Sequence, residues 1–406
     1  MRVLFTTPIL EHPAAGGPQL RIENSIKALS SVCELDILYR VSMLTEIVEK
    51  TSEYFRKYAS EYHVLSRPIP EGILLRCQSF AEKVLNRFFD IRTAKQAEYI
   101  LDHVDRRQID ILWFGFGNIS YPLIKYIKAR RPNLKVVCDT DSVWSRFVLR
   151  ELPYASGIRK LRIWRAGKKK ESEERAWIKL CDVTTAVSEV DAQYYKGIAD
   201  DIDRVHLFSN VIDVENYKLL APPPVGFKSP SIYLAGTFGH YNSPMDTAAR
   251  WILEEVYPHV LQSYPNTHFY IVGNNSDLGF SHLNGPNITV TGRLETVLPY
   301  LCNTDVALVP LKFESGTRFK ILEAGVCKVP LVSTTLGAEG IPVVDGKHIL
   351  IADEPEDFAK AIVRLFENKE LASRLALNCH DLVNEHFSVE SLAVEAKHIL
   401  EYLNCD

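Results

Sequence analysis

The chain alternates short apolar runs with longer amphipathic segments, and it does so in two successive series. The first series of candidate strands comprises residues 2–7, 34–40, 110–116, 134–139, 183–188 and 204–210. The second series comprises residues 231–238, 268–274, 288–293, 305–311, 330–335 and 348–353. Strands that alternate with helices form parallel sheets of βαβ units. Six strands are enough for one doubly wound domain, so the pattern predicts two Rossmann-like domains of the α/β class.

A segment without periodicity separates the two series. The stretch APPPVGFKSP at 221–230 is rich in proline and glycine, which is typical of a linker. We therefore predict an N-terminal domain over 1–220 and a C-terminal domain over 221–385. A C-terminal helix over 386–406 is expected to pack back on the N-terminal domain. The two domains are expected to face a central cleft, because ligands of open parallel sheets bind outside the carboxyl ends of the strands.

Composition excludes several classes of protein. The formal net charge of −4 over 406 residues argues against general nucleic-acid binding. No apolar run reaches the roughly 20 residues that a membrane-spanning helix needs. The eight cysteines are scattered without any CxxC spacing, which excludes the usual zinc sites and predicts reduced thiols in the cytosol.

The stretch FESGTRFKILEAG, at 313–325, places charged residues in an otherwise apolar helix directly after the strand at 305–311. Gly316, Lys320 and Glu323 stand at i, i+4 and i+7 and therefore share one stripe of that helix. Burying a lysine and a glutamate without partners would cost several kcal/mol. A polar partner, either protein or ligand, is therefore expected against the stripe.

The start of this helix has the features of an anion site. Backbone N–H groups at a helix N-terminus, opened here by Gly316, bind anions, and Arg318 and Lys320 add positive charge. Glu323, further along the helix, accepts hydrogen bonds from hydroxyls, so the pattern suits a nucleotide diphosphate with its ribose. The simpler alternatives are a salt bridge from Lys320 to Glu323, a surface position for Arg318 and a solvated loop acid for Glu314. Dehydrogenase and Walker fingerprints do not match, since no GxGxxG follows the first strand of either half and no GxxxxGK[ST] occurs.

Five ordered motifs carry a resemblance to a known family. They are GTRFKILEAGVCKVPLVSTTLGAEGI from 316, VTGRLETVLPYLCNTDVALVPLK from 290, AVSEVDA from 186, NVIDVENY from 210 and AGGPQLR from 15. Together they resemble the retaining, nucleotide-sugar-dependent glycosyltransferases of family 4, the glycosyl transferases group 1, which have the two-domain GT-B fold. The likeness covers most of the chain.

The resemblance implies a role for individual residues. Glu323 would bind the ribose of the donor nucleotide, Arg318 and Lys320 would neutralise the departing diphosphate, and Glu314 would stand near the donor sugar. The other donor contacts that the resemblance implies are Gly16, Gly17, Arg293, Gly316 and Thr317.

The implied reaction is sugar transfer from a nucleotide-sugar to a hydroxyl acceptor with retention of configuration, without a metal cofactor or a protein nucleophile. The acceptor would be a glycan or a lipid-linked sugar, in the synthesis of a surface polysaccharide or glycoconjugate. A nucleotide-sugar epimerase, a phosphorylase on the same architecture and a non-catalytic sugar-nucleotide or glycan-binding protein remain as alternatives.

Two further groups of polar residues are candidates for the sugar side. Asp139 and Asp141 form a DxD triplet at the end of a strand in the first domain. Such a triplet can hold a divalent metal, but we interpret it as facing the acceptor or donor sugar. His240 follows the first strand of the second domain and is predicted to contact the donor, the alternative being an exposed loop.

The window 146–170 is strongly basic. It contains nine lysines and arginines against one acid, Glu151, and it interleaves leucine, isoleucine and Trp164. This pattern predicts a patch for an anionic membrane surface, and the alternative is a solvated helix balanced by the acids at 171–174. The segment 73–89 is a second amphipathic candidate. The predicted localisation is therefore cytoplasmic, peripheral at the inner membrane face.

Overall fold

The computed structural model describes residues 1–14, 16–41, 44–66, 91–217, 221–239, 243–313 and 319–405. The chain divides into two compact units, each assembled from separate stretches of sequence. The first unit comprises Met1–Ser145, Arg165–Ser209 and Leu392–Asp406, and the second comprises Arg146–Trp164 and Asn210–Ser391. The domain boundaries at 220/221 and 385/386 stay predictions.

The first unit contains a parallel sheet with strand order β3-β2-β1-β4-β5-β6-β7. Its strands are β1 Arg2–Thr7, β2 Glu34–Arg40, β3 Glu61–Leu65, β4 Ile111–Gly115, β5 Lys135–Asp139, β6 Val183–Ala186 and β7 Val205–Leu207. Phe5 of β1 pairs with Ile37 on one side and with Trp113 on the other, and all three are fully buried. The strand order reverses between β1 and β4, which is the topological switch point of this sheet.

Helices follow the strands of the first sheet. They are α1 Gly17–Ser30, α2 Glu46–Phe55, α3 Ile91–Arg107, α4 Tyr121–Arg130, α5 Trp144–Leu149, α6 Gly157–Leu180 and α7 Glu189–Ile198. Side-chain caps fix two of the starts, since the Thr45 hydroxyl accepts from Val48 N–H before α2 and Ser188 accepts from Asp191 N–H before α7.

The second unit repeats this topology with the order β10-β9-β8-β11-β12-β13. Its strands are β8 Ser231–Ala235, β9 His268–Val272, β10 Ile288–Val290, β11 Val306–Val309, β12 Leu331–Ser333 and β13 Leu350–Ile351. The order reverses between β8 and β11, so the switch point of this sheet lies there. The α/β class and the two parallel sheets predicted from the sequence are confirmed.

The helices of the second unit cover both faces of its sheet. They are α8 Pro244–Trp251, a π-helical segment over Ile252–Val256, α9 Tyr257–Ser263, α10 Ser276–Phe280, α11 Leu298–Leu301, α12 Phe319–Val326, α13 Pro355–Glu367 and α14 Lys369–His386. The last helix of the chain is α15 Val389–Cys405, whose Glu395 accepts hydrogen bonds from Ser209 N–H and Oγ at 2.7 and 2.8 Å. No helix among the described residues has both the length and the apolar character that crossing a membrane requires.

Candidate functional site

The helix that carries the predicted donor residues lies at the switch point of the second sheet. Helix α12 follows β11, whose neighbour β8 is the strand where the order reverses. Ligands of open parallel sheets bind at this place, outside the carboxyl ends of the strands. The loops after β8 and β9 approach each other there closely. A Cβ on Gly273, which has φ +124°, would lie 2.2 Å from the carbonyl oxygen of Gly236.

Helix α12 is buried on most of its surface, as its apolar sequence predicts. Its buried residues are Ile321, Leu322, Glu323, Ala324, Gly325 and Val326. Gly325 makes close packing on α14 possible, because a Cβ at this position would lie 2.9 Å from Val383 Cγ2 and 3.1 Å from Cys379 Sγ. This packing fixes the position of the helix and of the side chains on its polar stripe.

Both carboxylate oxygens of Glu323 accept hydrogen bonds. Lys320 Nζ donates to Oε2 at 2.9 Å, and the Tyr217 hydroxyl donates to Oε1 at 3.3 Å. The salt bridge from Lys320 to Glu323, considered above as the alternative to a ligand, is therefore present. The carboxylate is nevertheless held in one orientation at the switch point, and 37% of the Lys320 side chain is exposed. A ligand phosphate could reach that ammonium group.

Tyr217 was not singled out from the sequence. It ends the short 3₁₀ turn Val214–Tyr217, and it is also the last residue of the motif NVIDVENY. Burial, reinforced by the adjacent Glu323 carboxylate, raises the pKa of Tyr217 well above its usual value. The hydroxyl therefore keeps its proton and acts as a donor to Glu323. The motif NVIDVENY drew attention to this segment, but no local pattern could have linked Tyr217 to Glu323, which is 106 residues further along the chain.

Several predicted site residues cannot be placed, because they lie outside the described residues. These are Glu314, Gly316, Thr317, Arg318 and His240. Their roles stay predictions, as does any role of the segment 73–89. Arg293 is described and is exposed beyond β10, but β9 and β8 lie between β10 and β11. Neighbouring strands lie about 4.8 Å apart, so the ends of β10 and β11 are separated by roughly 14 Å.

In the first unit, Gly16 and Gly17 stand at the start of α1, which follows β1 at the switch point of that sheet. Gly16 is the N-cap residue and Pro18 occupies the first turn. The first N–H groups of a helix have no partner inside the helix, so this end is suited to an anion or a hydroxyl oxygen. The predicted donor contact of the two glycines remains a prediction with suitable local geometry.

Asp139 belongs to the core of the first unit. It ends β5 with no exposed surface, and Arg21 of α1, which is itself buried, donates to its Oδ1. The Thr185 hydroxyl donates to the same oxygen at 2.8 Å. Oδ2 is buried and has no hydrogen-bond partner in the part of the chain that the structure describes. In this conformation the Asp139 carboxylate has no exposed surface, and its predicted place on the sugar side stays a prediction.

Asp141 is placed differently, because it is only half-buried. Its Oδ1 accepts from Asn118 Nδ2 at 2.5 Å and from Trp144 Nε1 at 2.9 Å. Burial raises the pKa of Asp141, and the two hydrogen bonds oppose that rise. Asn118, which the sequence did not reveal, follows β4 in the 3₁₀ turn Gly117–Ser120, so the two polar side chains come together beyond neighbouring strands.

Among the described residues, one group has the composition of a metal site, namely Glu61, His63 and His103. The Arg106 guanidinium donates to His103 Nδ1 at 3.0 Å and to Glu61 at 3.2 Å. Because Arg106 can only donate, His103 carries its proton on Nε2, which donates to Asp36 at 3.0 Å. That arrangement leaves no lone pair on the His103 ring for a cation, and the Arg106 guanidinium adds an opposing positive charge. The expectation that the reaction uses no metal stays a prediction.

The basic window is partly neutralised. Arg146 and Arg150 pair with Glu339 of the same unit at 3.5 and 2.7 Å. Further along, Lys168, Lys169 and Lys170 pair with the acids Glu171 and Glu173.

The first turns of α6 remain both apolar and basic on their exposed surface. Ile158, Leu161 and Trp164 are 73%, 48% and 48% exposed. No ion pair of Lys160 or Arg162 is found in the described stretches. We refer to residues 158–164 as the exposed α6 face.

Known proteins resemble this chain in sequence and in fold. Residues 231–368 match the family model of the glycosyl transferases group 1. An uncharacterized protein from the cps region of Klebsiella pneumoniae is 23% identical over 146 residues, which are 34% of this chain and 38% of that protein. The match therefore spans well under half the length of that curated relative.

Solved structures match over the whole chain. Sucrose-phosphate synthase from Thermosynechococcus elongatus has a TM-score of 0.68 at 15% identity, with 100% of both chains covered. HepE from Anabaena, solved in complex with UDP and glucose, has a TM-score of 0.65 at 12% identity, with 99% of both chains covered. Residues 231–368 therefore resemble the glycosyl transferases group 1, and the chain has the fold of the GT-B glycosyltransferases.

Proposed function

We propose that the protein transfers a sugar from a nucleotide-sugar to a hydroxyl acceptor, with retention of configuration. The observation that carries the proposal is the placement of Lys320 and Glu323 on α12. This helix begins at the switch point of the second sheet, inside the segment that matches the family model. Glu323, oriented by Tyr217, would accept hydrogen bonds from the ribose hydroxyls of the donor.

The chemistry at this helix would be charge stabilisation of the leaving group. In sugar transfer, negative charge builds on the departing phosphate, and positioned donors stabilise it in the transition state. Lys320 would exchange its bond to Glu323 for one to the diphosphate, and Arg318 would add a second cation. No protein nucleophile is proposed, so the departing phosphate itself would take the acceptor proton on the same face.

A thermal-shift screen with UDP-, GDP-, ADP- and dTDP-sugars tests donor binding. We expect one base series to stabilise the protein, since a ligand at 100 times its dissociation constant stabilises by about 2.7 kcal/mol. The matched control is the same screen on Glu323→Gln, which keeps the side-chain shape but loses the carboxylate and should lose the shift. The absence of a shift with all four series would contradict the proposal.

The reaction assay separates the proposal from its alternatives. Product formation only with an acceptor favours transfer, whereas a changed sugar without acceptor indicates an epimerase. Complete stability of the donor indicates a binding protein. Activity that persists in EDTA supports a metal-independent reaction, and a loss that Mn²⁺ alone restores would reverse that assignment.

The acceptor that we propose is a growing glycan or a lipid-linked sugar of a surface polysaccharide. The support is the similarity to the Klebsiella protein from the cps region. On the acceptor side, Asp141 and Asn118 are two hydrogen-bonded polar groups that lie beyond β5 and β4 of the first unit. We further propose a cytoplasmic location, at the inner face of the membrane.

The exposed α6 face supports the membrane part of this proposal. Large apolar side chains that stand beside cations on one exposed helix are typical of interfacial membrane binding. Lysine and arginine near an anionic surface contribute about 1 kcal/mol each. An anionic lipid surface would cover the apolar residues and attract Lys160 and Arg162 together.

We expect the protein to sediment with vesicles that contain anionic lipid and to stay in solution with neutral vesicles. The double change Leu161→Ser and Trp164→Ser should abolish sedimentation. Leu377→Ser is the matched control, because Leu377 is also 48% exposed but lies on α14. Wild-type protein that fails to bind anionic vesicles at low salt would end the proposal.

A further inference from the structure

Two cysteine thiols lie close together at the C-terminal end of α12, the helix that carries Lys320 and Glu323. Cys302 follows α11 and Cys327 follows α12, and their Sγ atoms lie 3.6 Å apart. Cys302 is partly exposed, whereas Cys327 is buried. The seven cysteines of the described residues carry free thiols, so this pair is a dithiol.

The two thiols differ in a way that suits sequential reaction. The Cys327 thiol and, to a smaller extent, the backbone N–H of Ala221 stabilise a thiolate at Cys302, which lowers its pKa to about 7. The pKa of Cys327 is raised by the neighbouring Cys302 and by burial. The partly exposed Cys302 sulfur is therefore the better nucleophile at neutral pH, and the buried Cys327 is the resolving thiol.

The backbone at Cys327 is tied to the donor helix. Val329 N–H donates to Ala324 O and Lys328 N–H donates to Gly325 O, which is the Schellman pattern that ends α12. Lys328 adopts φ +54°, as the residue after the C-cap does in this motif. Cys327 is therefore the C-cap of α12, and its own N–H donates to the carbonyl of Glu323 at 3.1 Å.

We propose that Cys302 and Cys327 form a redox-modification site that a small-molecule disulfide oxidises, and that the resulting cross-link weakens nucleotide binding at Glu323. The effect on binding rests on the proposed function, whereas the cross-link itself does not. A disulfide needs Sγ atoms about 2.05 Å apart, so the two sulfurs must approach by roughly 1.5 Å. This movement pulls on the turn that holds Glu323.

The chemistry balances with the small disulfide as the oxidant. The Cys302 thiolate attacks one sulfur of the small disulfide, forms a mixed disulfide and releases one thiolate, which takes up a proton. Cys327 then loses its proton and attacks Cys302 Sγ, which releases the second small thiol. The protein dithiol loses two electrons and two protons, and one small disulfide becomes two thiols.

The test uses the full chain with oxidised glutathione, followed by alkylation of the remaining thiols and peptide mass spectrometry. We expect a disulfide that joins the peptides of Cys302 and Cys327. In the Cys327→Ser variant, the reaction should stop at a mixed disulfide between Cys302 and glutathione. In the Cys302→Ser variant, Cys327 should remain a free thiol that the alkylating reagent modifies. Cys33 is an internal control, because burial raises its pKa to about 12 and it should stay unmodified. Oxidation elsewhere with both site thiols still alkylatable would overturn the proposal.

Nucleotide affinity is then measured on the reduced, oxidised and re-reduced protein. We expect oxidation to weaken binding about tenfold, which is the effect of disturbing one hydrogen bond to a charged group. Dithiothreitol should restore binding, and Cys302→Ser should be insensitive to the oxidant. A cross-linked protein with unchanged affinity would overturn the regulatory part. If the reduced protein binds no nucleotide, the proposed function fails, and the mass spectrum still decides the modification site.

Discussion

Lys320→Ala is expected to lower the rate of sugar transfer by about 10²- to 10³-fold without unfolding the protein. Lys320 is a cation at the start of α12, and its loss would remove one of the two donors that we propose for the departing phosphate. The measurement is kcat at saturating nucleotide-sugar, together with the free energy of unfolding from chemical denaturation. The resemblance predicts the same loss for Arg318→Ala.

The chain contains a matched control for this substitution. Lys360 pairs with Asp357 at 3.1 Å, also three residues apart on one helix of the same unit, but both side chains are exposed. Lys360→Ala should leave kcat unchanged and alter stability by only about 0.5 kcal/mol. If Lys320→Ala behaves in the same way, its bond to Glu323 is an ordinary helix salt bridge and the leaving-group role is lost.

Asp139→Ala is expected to lower the free energy of unfolding by about 3–5 kcal/mol. The change leaves the Arg21 guanidinium buried without its carboxylate, and Arg21 is only 2% exposed. Removing one member of a buried ion pair costs more than removing both, because the remaining charge is not compensated. Chemical denaturation followed by tryptophan fluorescence measures the difference.

Two further variants identify the cause of that loss. The double change Arg21→Met and Asp139→Leu should recover much of the stability, since apolar residues can replace a buried pair. Asp141→Ala removes hydrogen bonds at a half-buried position and should cost only about 1 kcal/mol while it lowers activity. Normal stability of Asp139→Ala with lost activity would instead assign Asp139 to the substrate.

The strands were predictable because parallel strands covered on both faces are nearly continuous apolar runs. The strand Arg2–Thr7 has the predicted bounds, and the second sheet has shorter strands than predicted. The sequence did not indicate β3, because its five residues, EYHVL, are only partly buried at a sheet edge and form no apolar run. An edge strand is held by pairing with its neighbour, and pairing has no local sequence signature.

The residues of the candidate site also fall into those that the sequence could predict and those that it could not. The polar stripe of α12 depends on helix periodicity, so the proximity of Lys320 and Glu323 could be predicted from spacing alone. The partners of the acids could not, because Arg21 is 118 residues from Asp139. A DxD triplet has the same letters whether its first carboxylate is exposed or buried against a distant arginine. Only the fold distinguishes the two cases.

The chain passes between its two compact units four times, at 145/146, 164/165, 209/210 and 391/392. No single cut can therefore release either unit as a whole. A fragment that ends at residue 220 would lack Glu395, whose carboxylate holds Ser209 at the end of the first sheet. A truncated protein or a chimera with a relative would therefore need the last fifteen residues together with the amino-terminal half.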